Sequence, residues 1–182
     1  TIGDLERIGD HAVNILDVAK EIHEKNLVFS EKARAELKIV TNAITDILNL
    51  TLDAFANRDN EAAMRVEPLE QVIDFLKAEL KNRHIKRLQD GKCTIELGFV
   101  LTDILTNYER ISDHCSNIAV CQLEISNNAS FDTHDYLDRM KTSGETSYEE
   151  LYKSYKERYI LPLSASSSDA NYLPVPELKK SK

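Results

Sequence analysis

Tryptophan is missing from this chain, and cysteine, proline and glycine are scarce, with 3, 4 and 5 copies among 182 residues. Few glycines and prolines, beside abundant Ala, Leu, Glu, Lys and Ile, favour helix. Cys93, Cys115 and Cys121 form an odd set without a CxxC pair. That argues against a disulfide framework and for a reducing compartment. No stretch approaches the ~18–20 consecutive apolar residues of a membrane span. A signal peptide, a Gly-rich phosphate loop and a GxSxG elbow are all absent, so an enzyme reading has little support. The net charge of −8, with a pI near 5.2, argues against a general nucleic-acid binder. The length suits one domain able to bury a substantial core.

What is present is a repeat. DLERIGDHAVNI at 4–15 returns as NYERISDHCSNI at 107–118, an offset of 103 positions with seven of twelve residues identical. Unrelated segments match at roughly one position in such a window, so this is an internal duplication. The identities include Glu6/Glu109, Asp10/Asp113, His11/His114 and Asn14/Asn117. An apolar stripe needs only some hydrophobic residue, so shared polar residues point to a chemical demand. The motif begins four residues in and no Met precedes it, so the chain reads as a piece of something longer.

Helical periodicity predicts four helices: about 3–25, 31–57 after a Ser30 N-cap, about 59–90 ended by Gly91, and about 93–125. Short turns make 31–125 an antiparallel three-helix unit, and 3–25 corresponds to the last helix of an earlier unit. The expected organisation is a helical bundle over 1–125 and a C-terminal extension over 126–182. That extension holds a short helix near Thr133–Lys141 and a helix opened by a capping box at Ser147. It ends in a disordered Ser/Pro-rich tail.

Glu6 and Asp10 share one face of their helix, as do Glu109 and Asp113. The helix over 59–90 carries Glu70 and Asp74 at the same spacing, with Glu67 one turn earlier. Folded as a hairpin about Asp90–Lys92, Glu70 comes level with Asp113 and Asp74 with Glu109. Four carboxylates in one groove, between axes about 8–10 Å apart, repel unless protonated or neutralised by cations. Oxygen donors suit Mg, Ca, Mn or Fe, and also Zn. The competing reading is a pair of ordinary solvated acidic faces. His11 and His114 are expected to be partly buried and bonded to a neighbouring helix rather than ligating. Arg7 and Arg110 are expected to pair with acidic neighbours. The run Lys81, Arg83, His84, Lys86 and Arg87 is accounted for by the helix dipole. Pro68 leaves two placements open for Glu67: inside the acidic helix, or outside it with the main helix starting near Leu69.

LERIGDHAVNI and YERISDHCSNI resemble the repeated signature of PhoU proteins, regulators of bacterial phosphate uptake. The resemblance implies an all-α, antiparallel bundle of PhoU type, here one three-helix repeat, the last helix of a preceding repeat and an extra C-terminal helix. It implies metal ligation by Glu6, Asp10, Glu70, Asp74, Glu109 and Asp113 on an outward acidic surface, with Glu67, Asn14, Asn117, His11 and His114 as additional or supporting groups. The cofactor is a divalent or trivalent ion, Fe, Zn, Mn, Mg or Ca. The segment after Ser126 looks more like the C-terminal region of sodium/phosphate cotransporter-family proteins. That implies a membrane transporter domain of the same full-length protein as partner, a homo-oligomer, and a place at the cytoplasmic face of the membrane. No nucleic acid and no direct small-molecule substrate is expected. The function this implies is a non-enzymatic, metal-binding regulator of phosphate transport. The alternative is a purely structural helical interaction or dimerisation module without metal.

Overall fold

A computed structural model describes residues 1–127 and 146–162. The described residues form six helices in order: α1 (Ile2–Glu24), α2 (Glu31–Asn57), α3 (Asn60–Met64), α4 (Val66–Gln89), α5 (Ile95–Asn127) and α6 (Thr146–Arg158). The described residues contain no strand, so the chain is all-α, a helical bundle with an extra C-terminal helix.

Local chemistry sets the boundaries. Ser30 caps α2, its hydroxyl oxygen accepting from the Ala33 amide at 3.2 Å. Asp59 does the same for α3 through the amides of Glu61 and Ala62. The expected helix over 59–90 is therefore two helices, broken at Arg65. Pro68 is the third residue of α4, within the first turn, where its missing N–H costs no intrahelical bond. Glu67 consequently lies inside the helix. Gly91, at φ +66°, closes α4 while the Gly91 and Lys92 amides reach back to the carbonyls of Leu88 and Arg87. Asn26 and Arg58 take the same left-handed conformation after α1 and α2 without glycine's freedom.

Helices α2, α4 and α5 pack around one core. Val40, Ile47, Val66, Val72, Ile73, Leu80 and Leu105 are fully buried; side chains of this kind contribute roughly 1.5–3 kcal/mol each. Helix α1 packs chiefly on α5 and buries only Val18. Helix α6 lies on α4, with the Lys156 ammonium 4.3 Å from the centre of the Phe75 ring. It is pinned to α2 by Arg158 and Tyr159, which both donate to Asp46. The capping box anticipated at Ser147 is displaced, because α6 already starts at Thr146. The short helix expected near Thr133–Lys141 and the tail beyond Pro162 lie outside the described residues.

Candidate functional site

The α4–α5 hairpin carries Glu67, Glu70 and Asp74 on α4 and Glu109 and Asp113 on α5. Ser116 donates to Glu67, and nearer the turn His84 faces Gly98. Glu67 and Glu70 are not outward: they are 5% and 6% exposed. Asp74, Glu109 and Asp113 beside them are half-buried. Helix α6 meets this face. Burial first, and then the negative charge of Glu67 and Glu70, push the Tyr148 phenol well above its ordinary range. The solvated-face reading thus holds poorly for α4.

The charges are arranged unevenly. Lys77 donates to Glu109 and so supplies one fixed cation inside the groove. Arg110 reaches Asp113 at 3.6 Å from the exposed side. Burial and then the like charge of Asp74 hold the Asp113 carboxyl above the usual carboxylate range, against the partial relief of Arg110, His114 and Lys77. Among the described residues, Asp74 Oδ1 is the buried side-chain oxygen that finds no hydrogen-bond partner. A carboxylate oxygen desolvated without a donor is costly, which is the condition a bound cation relieves. No three His, Cys, Asp or Glu side chains among the described residues form a group positioned to hold a metal ion. The charge of Asp74 acts on Asp113, Glu70 lies one turn before Asp74 on α4, and Glu6 and Asp10 are exposed on α1.

The shared polar residues of the repeat have a second role. Antiparallel α1 and α5 are joined by His11 Nδ1, which donates to Asn107 Oδ1 at 2.9 Å, and by His114 Nδ1 with Asp4 Oδ1 at 3.1 Å. Asp4 and Asn107 occupy the same position in the two motif copies, so each histidine grips the first residue of the other copy. Their rings stack with centroids 5.9 Å apart. Asn14 also donates to Asn107, at 3.2 Å, and Asn117 supports Asp4. His11, His114, Asn14 and Asn117 therefore serve the helix–helix contact, which accounts for part of the polar identity.

Two features escape the sequence patterns. Arg83 and Arg87 of the basic run turn inward onto Glu36, at 3.1 and 2.7 Å, and Glu36 is 1% exposed. The dipole account of that run is thus incomplete. Cys93 lies against the buried His84, with Sγ 3.4 Å from Nε2. Burial raises the Cys93 thiol despite the nearby Arg87, and burial pushes Cys115 up to about 12, so neither is poised as a thiolate nucleophile. All three cysteines are free.

An antiparallel bundle with a duplicated acidic-and-histidine motif defines the class, and residues 37–121 match the PhoU domain family model. Residues 37–121 are thus similar to a PhoU domain, and the chain is similar to PhoU phosphate transport accessory proteins. It is 29% identical over 115 residues to the phosphate-specific transport system accessory protein PhoU homolog 1 of Thermotoga maritima, covering 63% of this chain and 49% of that protein. The corresponding homolog of Zymomonas mobilis is 30% identical over 117 residues, 64% of this chain and 48% of that protein. That of Clostridium acetobutylicum is 25% identical over 134 residues, 74% of this chain and 60% of that protein. The chain spans about half the length of the first two of these relatives. No solved structure matches significantly. No helix among the described residues is long and apolar enough to cross a membrane.

Proposed function

We propose that this chain is a non-enzymatic regulator of phosphate transport whose α4–α5 face binds a metal cation. The regulatory part is supported by homology to accessory proteins of phosphate-specific transport systems. The metal part is supported by one atom above all, the buried, unpartnered Oδ1 of Asp74, a residue whose charge acts on Asp113. Asp74 and Asp113 would hold the ion, with Glu70 and Glu109 beside them, and the hard oxygen donors fit Mg, Ca, Mn or Fe. The cation would neutralise the groove and tie α4 to α5. Lys77 does part of that work through Glu109. A membrane transporter is the natural partner, and a covalently attached transport domain of the sodium/phosphate cotransporter kind is the finer version of that partner.

The test is metal content by mass spectrometry on untagged protein purified without chelator, beside the Asp74→Asn/Asp113→Asn variant. Stoichiometric metal in the wild type, lost in the variant, is the expected result. At a free ion concentration of 100 times Kd, the wild type should gain about 2.7 kcal/mol that the variant does not. Equal, sub-stoichiometric metal in both, even after ions are restored, removes the metal reading and leaves the second one. That second reading, a helical interaction module, is favoured by the exposed Ile2, Val13 and Leu16 on α1.

A further inference from the structure

We propose that the cavity between the start of α2 and the α4–α5 turn binds a small oxyanion of the phosphate class, free or carried as a monoester. The cavity has a volume of about 190 Å³, room for roughly six waters at their ~30 Å³ share of liquid volume. Its polar lining is Ser30, His84, Arg87, Lys92 and Cys93. Each of these side chains can donate a hydrogen bond, and no carboxylate lines the cavity among the described residues. The chain has 31 acidic residues against 23 basic ones, so a lining made only of donors stands out.

The donors have capacity left. Arg87 commits Nη1 to Glu36 at 2.7 Å, which leaves the rest of its planar fork. Ser30 Oγ accepts from the Ala33 amide and keeps its own proton for a ligand. His84 is 7% exposed, and its ring nitrogens meet only the Cys93 thiol, a weak partner, at 3.4 and 3.6 Å. Lys92 stands at the mouth, bonded to Asp90 at 3.2 Å and well exposed. The 27-residue α2 also starts here and adds the partial positive charge of its N-terminus. Phe29 and Leu97 form an apolar side that suits the organic part of a monoester. Glu36 offsets part of the charge of Arg83 and Arg87, so the cavity selects by donor geometry as much as by net charge. It lies some 14–20 residues along α4 from Glu67 and Glu70, about 20–30 Å at 1.5 Å per residue, so this proposal does not depend on the metal reading.

Cys93 gives a direct reporter, and Cys121, outside the cavity, gives an internal reference. The experiment follows alkylation of each thiol by iodoacetamide with mass spectrometry. It uses the full chain with about 10 mM inorganic phosphate or glycerol 3-phosphate, the scale of a millimolar site, against chloride of matched ionic strength. Phosphate should slow Cys93 several-fold and leave Cys121 unchanged. Lys92→Gln and Ser30→Gly should each raise the concentration needed for protection by roughly two- to fivefold; glycine largely preserves the helix start, so both variants fold. Phosphatidylglycerol vesicles that protect Cys93 where the dissolved anions do not would assign the same donors to a lipid headgroup. Protection by none of these, equal protection by chloride, or protection undiminished in both variants overturns the proposal.

Discussion

Glu36 carries more structural consequence than any carboxylate of the repeated motif. It is 1% exposed and accepts from Arg83 through one oxygen and from Arg87 through the other. A buried charge pair adds little over an apolar replacement, but removing one partner strands the other. Glu36→Ala should therefore cost about 3 kcal/mol, chiefly from the Arg87 guanidinium it strands, since Arg83 keeps Glu79 at 2.9 Å. The urea unfolding midpoint measures it, with Asp17→Ala as the contrast. Asp17 and its Lys20 partner are 62% and 59% exposed, and that change should cost under about 0.5 kcal/mol. Spacing along one helix could not reveal the Glu36 cluster, because a basic run looks the same facing solvent or facing a buried acid 47 and 51 residues away. The Cys93–His84 contact was hidden for the same reason. The placement of Glu70 and Asp74 on one helix was legible, since their spacing and the turn at Gly91 are local features.

At the scale of helices, the caps were the most readable features. Ser30 and Gly91 terminate α2 and α4 as their side-chain and backbone chemistry dictates. The break at Arg65 was not readable, because Ala62 and Ala63 before it and Val66, Leu69 and Ile73 after it keep up a helical apolar pattern. Exposure of the acidic face was misjudged for a related reason: α6 packs on α4 from a segment whose own pattern says nothing about where it docks. Helix α1 is the weakest of the long helices. Its clasp to α5 consists of two histidine contacts and a half-buried stripe, with Val18 alone fully inside. Native-state hydrogen exchange should show α1 amides opening at a lower free energy than those of α4 and α5, as a separate cooperative unit. Protection of α1 equal to that of α4 would mean the clasp contributes far more than its contacts indicate.

For the whole molecule, the clasp and the buried histidine set the response to acid. Burial, then the charge of Arg87, lowers the affinity of His84 for a proton, with Glu36 opposing in part. The unfolded chain takes up that proton as pH falls below the ordinary 6.5, while the folded protein resists, so stability declines from there downward. Asp113 acts in the opposite sense: its carboxyl is raised above 3.8, so the folded state gains relative stability as pH falls through that raised value. Asp4 follows last. Burial raises its carboxyl, but hydrogen bonding, led by His114 and including Asn117, outweighs this and holds it below 3.8. Its contribution is present above 3.8 and disappears as pH falls through the lowered value, releasing α1 from α5. Urea midpoints measured across this range should fall below pH 6.5, flatten where Asp113 protonates, and fall again below 3.8, with α1 exchange accelerating only in the last step. His84→Gln should abolish the first decline and leave the last. A first decline that survives the substitution would assign it to another group.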